Sequence, residues 1–168
     1  MANDDIIHTA DVCDANPDAY QVCEIPFTDY AGRNHFHGRV ATFATYEDNK
    51  GIRDILAQGG KKGGERRVLV VDGRGSRRRA LCGGNIAADA AKHDWAGLVF
   101  NGCIRDGHEF AGLDIGVKAI GSTPQRPRQD GIGKAGVTLN FGGIAIRDGD
   151  YLYADGDGVI VAARPLHK

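Results

Sequence analysis

Arg67-Val68-Leu69-Val70-Val71, followed by Asp72-Gly73, decides the fold. Four apolar residues in a row, three of them β-branched valines, read as a strand covered on both faces, and Asp-Gly closes it with a turn. Working outward, Asn85 to His93 is alanine-rich and reads as a helix with Asn85 at or near its cap. Leu98-Val99-Phe100 is a second buried strand. Strand, helix and strand in alternation define an α/β domain. Upstream, Thr9 can cap a short helix through Val12 and Cys13. Phe36 to Thr45 reads as a strand, and Glu47 to Gln58 as a helix with Ile52, Ile55 and Leu56 on one face. Gly59 to Gly64 is a polar loop, and Arg77 to Leu81 a further strand. Downstream, Val117 to Ile120 is a short strand, and Ser122 to Asp130, with Pro124 and Pro127, is a loop. The last third is strands and turns, with turns at Gly142-Gly143, Asp148-Gly149 and Asp155-Gly156-Asp157-Gly158. With neither a repeat nor a long linker, residues 1–168 are expected to form one domain that ends in antiparallel strands.

Bulk properties narrow the function. A net charge of -1 gives no field to gather nucleic acid or an anionic membrane surface. No apolar run approaches the roughly 20 residues of a membrane span. The start, Met-Ala-Asn-Asp-Asp, is acidic and is followed by no signal-peptide core. The four cysteines, Cys13, Cys23, Cys82 and Cys103, form no C-x-x-C pair, and are expected to be reduced thiols of a cytoplasmic protein. Glycine, at 25 residues, favours tight turns and close backbone approaches.

The chemistry concentrates in two segments, Gly83-Gly84-Asn85-Ile86 and Arg105-Asp106-Gly107-His108-Glu109. Twenty residues separate Gly84 from Arg105, and they read as one helix followed by one strand, an excursion that brings its ends together. One end offers backbone N–H groups at a helix N-terminus, where anions bind. The other offers Arg105, whose fork grips a carboxylate, and Asp106, a hard oxygen ligand for a divalent cation. This combination suits a small keto acid with a metal. An isolated Arg-Asp pair is more often a surface ion pair of small energetic worth.

Other motifs carry blander readings. Asp155-Gly156-Asp157-Gly158 lacks the remaining ligands of a calcium loop and reads as a hairpin turn. Arg77-Arg78-Arg79 on a strand would alternate faces, giving a solvated edge or a subunit contact. His35-x-His37 can put two imidazoles on one strand face, as zinc requires, but has no placed third ligand. Cys82 and Cys103 flank the candidate site without a visible base to activate a thiol.

From Arg67 onward the chain resembles the RraA-like family, which includes 4-hydroxy-4-methyl-2-oxoglutarate aldolases and regulators of ribonuclease E. The resemblance rests on Val70-Val71-Asp72-Gly73, Arg78-Arg79-Ala80-Leu81, Trp95-Ala96-Gly97-Leu98-Val99, Asn140-Phe141-Gly142-Gly143, Gly149-Asp150 and Leu152-Tyr153-Ala154-Asp155. It extends more weakly back through Phe27 to Gly38 and Thr9 to Asp14. It implies a compact swivelling β/β/α-type domain, assembled as a homotrimer with sites near subunit interfaces. It also implies substrate contacts from Gly83, Gly84, Asn85, Ile86 and Arg105, and a divalent cation, Mg²⁺ or Mn²⁺, at Asp106. Glu109 matches the acidic residue that closes the family's Arg-Asp-x-x-acid motif. The chain departs from longer aldolases in lacking their C-terminal extension. It also has Gly84 where many relatives carry Asp.

Two functions follow as expectations. The first is a metal-dependent lyase that cleaves 4-hydroxy-4-methyl-2-oxoglutarate to two pyruvates and decarboxylates oxaloacetate through the same enolate, with Arg105 and Asp106 as catalytic residues. The motif holds no lysine for imine chemistry. The second is a non-enzymatic regulator that binds ribonuclease E. A menaquinone methyltransferase is not expected, because no glycine-rich S-adenosylmethionine loop follows the first strand.

Overall fold

Val68, Leu69, Val70 and Val71 are all fully buried, as an apolar run between two covering layers requires. A computed structural model describes residues 5–168, so most of the acidic start lies outside the described residues. The chain runs α1 (Thr9–Ala15), β1 (Gln21–Cys23), β2 (Thr28–Asp29), β3 (Phe36–Ala44), α2 (Lys50–Ala57), β4 (Lys61–Lys62), β5 (Glu65–Asp72), β6 (Ala80–Cys82), α3 (Gly84–Lys92), β7 (Gly97–Ile104) and β8 (Gly116–Ser122). It continues through β9 (Lys134–Ala135), β10 (Leu139–Phe141), β11 (Ile144–Ile146), β12 (Tyr151–Asp155) and β13 (Gly158–Ala162).

One 11-stranded sheet carries the path β1-β13-β12-β3-β5-β7-β8-β2. β3, β5, β7 and β8 run parallel to one another, and β2 closes the far edge antiparallel to β8. β12 joins β3 antiparallel, and β13 and β1 continue antiparallel. The α/β class and the antiparallel C-terminal strands are therefore as the sequence predicts. Alternate residues of β5 face opposite layers. Leu69 and Val71 pack with Ile52, Leu56, Ile86 and Ala90 of the two helices. Val68 and Val70 pack with Leu139, Ile144 and Ile146 of the β10–β11 hairpin.

Three local expectations are corrected. α2 begins at Lys50, not Glu47. Residues 47–49 instead form a tie for two loops, with Glu47 in a left-handed conformation, φ 58°. Its carboxylate accepts hydrogen bonds from Ser76 and Arg78, both at 2.8 Å. Asp48, fully buried, accepts from the Asp130 and Gly131 amides. Arg77 to Arg79 are thus a loop and not a strand; the strand starts at Ala80. Thr9 does not cap α1 from outside. It is the first helical residue, and its amide and hydroxyl both donate to the buried Asp155 carboxylate, at 2.7 and 2.8 Å.

These carboxylates make stability acid-sensitive. Hydrogen bonding from Arg78 holds the Glu47 carboxyl below the usual carboxylate range, against the effect of burial. Burial pushes Asp155 up, but the bonds from Thr9, Asp157 and Gly158 outweigh it and leave the carboxyl lowered. A carboxyl depressed in the folded state stabilises fully above its unfolded pKa, and that stability is lost as pH falls through the folded value. Tm should therefore drop as pH is taken below about 4, the ordinary carboxylate range. Asp155→Asn should lower Tm at pH 7 and flatten the acid slope in calorimetric scans. An unchanged slope would remove Asp155 from this role.

Candidate functional site

β6 and the C-terminal end of β7 lie parallel, with Ala80 beside Cys103 and Cys82 beside Ile104. The Arg105 amide continues the pairing by donating to the Cys82 carbonyl at 2.9 Å. The chain leaves β6 directly into α3 and returns along β7. The twenty-residue excursion therefore brings Gly83-Gly84 and Arg105-Asp106 side by side, as the spacing suggests. Gly83 is the N-cap of α3, in extended conformation and with no side-chain cap. The amides of Gly84, Asn85 and Ile86 occupy the first turn, where N–H groups have no partner within the helix. They are available to an anion.

Arg105 and Asp106 adjoin this helix end. Asp106 takes a left-handed conformation, φ 58° and ψ 37°, which a short polar side chain tolerates better than most. A Cβ at Gly83 would stand 3.0 Å from the Asp106 Oδ2, so glycine lets the carboxylate close on the helix. Arg105 Nε lies 3.8 Å from the same oxygen, with both side chains about 40% exposed (38% and 44%) and so open to a ligand. At that distance and exposure the pair contributes little to stability.

Glu109 explains Gly84. A Cβ at position 84 would collide with the Glu109 carboxylate and come 2.8 Å from the Glu109 Cβ. Gly84 is therefore the space in which Glu109 sits. A turn of 3-10 helix over Gly107–Glu109 delivers the side chain there. Asp106 and Glu109 together provide the hard oxygen donors that suit a divalent cation retaining several waters. Gly84→Ala should displace Glu109 while leaving the circular dichroism spectrum unchanged. About a hundredfold lower turnover is expected, the lower end of what a positioned acid or base contributes. Wild-type turnover in Gly84→Ala would show that Glu109 has no part in the reaction.

Gly83, Gly84, Asn85, Ile86, Arg105 and Asp106 all line one cleft of about 540 Å³. Glu109 is not among its lining residues. The other wall is what sequence reasoning missed. Arg53, Arg79, Arg126 and Arg128 join Arg105, so five arginines face two aspartates, Asp106 and Asp130. Arg53 comes from α2. Arg126 and Arg128 come from the loop that Asp48 and the Glu47 carbonyl hold in place. The basic run at 77–79 and the Arg-Pro-Arg at 126–128 were the visible signals, but nothing local says that the two loops meet. Arg79 donates to the Arg126 carbonyl at 2.9 Å. Asn49, buried in the same cleft, has a side-chain oxygen without a hydrogen-bond partner among the described residues. A bound ligand or water can satisfy it.

The thiols take no part. Burial raises both Cys82, strongly, and Cys103 above the usual thiol value, the reverse of activation. Among the described residues all four cysteines are free. The two histidines of His35-x-His37 divide. His37 is buried and bonded to the Tyr151 hydroxyl at 2.8 Å, and His35 lies near the surface beside His8. No helix among the described residues is long and apolar enough to cross a membrane.

Comparison with known proteins places this geometry in context. Residues 9–161 match the model of a family described as RraA-like: Aldolase/RraA. A protein of Alkalilimnicola ehrlichii named "Putative 4-hydroxy-4-methyl-2-oxoglutarate aldolase" is 47% identical, over 95% of this chain and 97% of its own length. A protein of the same name from Azotobacter vinelandii is 45% identical, over 94% and 95%. Among solved structures, one from Geobacillus kaustophilus titled S-adenosylmethionine: 2-dimethylmenaquinone methyltransferase superposes with TM-score 0.90 at 44% identity, covering 95% of this chain and 97% of that one. The RNA-processing inhibitor RraA from Thermus superposes with TM-score 0.88 at 36% identity, covering 95% and 94%.

Proposed function

The chain belongs to the RraA-like family, and from that premise we propose that it is a divalent-metal-dependent aldolase. It cleaves 4-hydroxy-4-methyl-2-oxoglutarate to two pyruvates and decarboxylates oxaloacetate by the same electron flow. The observation that carries the reading is the arginine-lined cleft, which ends on the α3 N-terminus, Arg105 and Asp106. Both substrates are dianionic 2-keto acids, and the cleft is built for more than one carboxylate.

Arg105 grips the C1 carboxylate with its fork, and the Gly84 to Ile86 amides supply further donors to the same end of the substrate. Arginines of the opposite wall hold the distal carboxylate. Glu109, set behind Gly84 and outside the cleft lining, accepts the C4 hydroxyl proton through one bridging water as the C3–C4 bond breaks. The bond's electron pair moves toward C2 and its oxygen, and C4 becomes the carbonyl of the first pyruvate. Return of a proton to C3 completes the second. Asp106, with Glu109 beside it, would hold the Mg²⁺ or Mn²⁺, which when bound supplies positive charge close to the C2 oxygen.

The same cleft speaks against methyl transfer from S-adenosylmethionine, because a sulfonium cation gains nothing from five arginines. The rival reading, a regulator that binds ribonuclease E, is supported by the likeness to the Thermus inhibitor. It gives no account of the cleft. The deciding experiment measures pyruvate release from both substrates, with and without Mg²⁺ or Mn²⁺, on chelator-treated protein, beside ribonuclease E inhibition by the same sample. Inhibition without turnover would reverse the order.

The homotrimer implied by the family completes the proposal. β1 and β2 end the sheet path as open edges, which proteins usually cover. Light scattering at micromolar concentration should give about three times the 17.9 kDa chain mass. A stable monomer would contradict sites near subunit interfaces.

A further inference from the structure

A second cluster of ligating groups stands apart from the arginine cleft. His8 precedes α1, His35 precedes β3, and Asp155 ends β12. One ligand atom from each lies within 4.8 Å of the other two. None of the three lines the cleft described above. We propose that His8, His35 and Asp155 form a structural site for a borderline-soft transition-metal ion, with Zn²⁺ the best fit, independent of the proposed Asp106 site.

The donor set argues the identity. Two imidazoles and one carboxylate favour Zn²⁺, Co²⁺ or Ni²⁺ over Mg²⁺, which prefers oxygen. The surroundings argue that the ligands are prepared. His35 Nδ1 lies 2.7 Å from the side-chain oxygen of Asn34. With the Asn34 amide oriented so, its oxygen only accepts, so Nδ1 carries the proton and Nε2 keeps its lone pair for a metal. This is the outer-partner arrangement that fixes a metal-binding histidine. Asp155 is buried, and Thr9 and Asp157 donate to its carboxylate. Those bonds fix its direction. The His8 and His35 rings meet edge to face, centroids 5.4 Å apart.

Tetrahedral ligands with bonds of about 2.1 Å lie roughly 3.4 Å apart, so some closure is needed. His8 is exposed, and its ring can supply that motion. The fourth position remains for water. The benefit is local. α1 has only seven residues and no side-chain cap at His8. A metal would pin its first turn to the starts and ends of two sheet strands.

The test uses the full chain, chelator-treated, titrated with ZnCl₂ by calorimetry in excess Mg²⁺ to occupy oxygen-donor sites. One zinc per chain is expected, together with visible absorption bands when Co²⁺ replaces it. His8→Gln and His35→Gln leave the Asp155–Thr9 bonds untouched and should each weaken zinc binding at least tenfold. Asp106→Asn should not change it. Zinc should also raise Tm of the wild type and not of His35→Gln. Absence of stoichiometric zinc would overturn the proposal. So would zinc binding that survives both histidine substitutions, or that disappears in Asp106→Asn.

Discussion

Asp106→Asn should slow oxaloacetate decarboxylation about a thousandfold at saturating substrate. The substitution keeps the shape that fits beside Gly83, where the carboxylate oxygen would lie 3.0 Å from a Cβ. It removes the charge that attracts a cation. If the cation contributes about 4 kcal/mol to the developing charge on the C2 oxygen, its loss costs about three orders of magnitude in kcat. The fold should survive, because Asp106 is half-exposed and its ion pair with Arg105 is loose, 3.8 Å. Calorimetry with Mn²⁺ supplies a readout separate from activity, and affinity should fall with turnover. Undiminished turnover in Asp106→Asn would remove the metal from this position and bring the regulator reading forward.

Arg105→Lys should act on binding and not on the bond-breaking step. Lysine keeps the positive charge but presents a point donor where arginine presents a planar fork. A charge-assisted hydrogen bond contributes about 1.5–3 kcal/mol, so loss of one prong should raise KM about tenfold or more with kcat nearly unchanged. Arg105→Met removes the charge as well and should raise KM further, by about a hundredfold. The remaining cleft arginines, Arg53, Arg79, Arg126 and Arg128, would still gather dianions, which is why binding should weaken without vanishing. A fall in kcat with KM unchanged would instead place Arg105 on the reacting oxygen.

What the sequence makes legible follows physical range. The β5 strand is visible because an apolar run covered on both faces needs no partner to be recognised. The Gly83–Gly84 and Arg105–Asp106 junction is visible because a helix and a strand of fixed length return the chain to its start. Glu47 misleads because a helix-forming residue sits next to a real helix. Only the arrival of Ser76 and Arg78 from 29 and 31 residues away makes it an anchor. Arg126 and Arg128 are hidden for the same reason. Their loop has no periodicity, and its place depends on the buried Asp48 carboxylate more than 80 residues earlier in the chain. Gly84 is the subtlest case. A glycine at a helix start reads as a cap or an anion contact, and that it makes room for Glu109 emerges only from the two side by side.

The most direct test of the central claim is oxalate binding. Oxalate is a planar dianion that mimics the enolate of pyruvate and cannot react. Chelator-treated protein should bind it weakly alone and at least a hundredfold more tightly with Mn²⁺ present, a coupling of about 2.7 kcal/mol. That gain should disappear in Asp106→Asn. Equal oxalate affinity with and without Mn²⁺ would contradict a metal-assisted keto-acid site at Arg105 and Asp106.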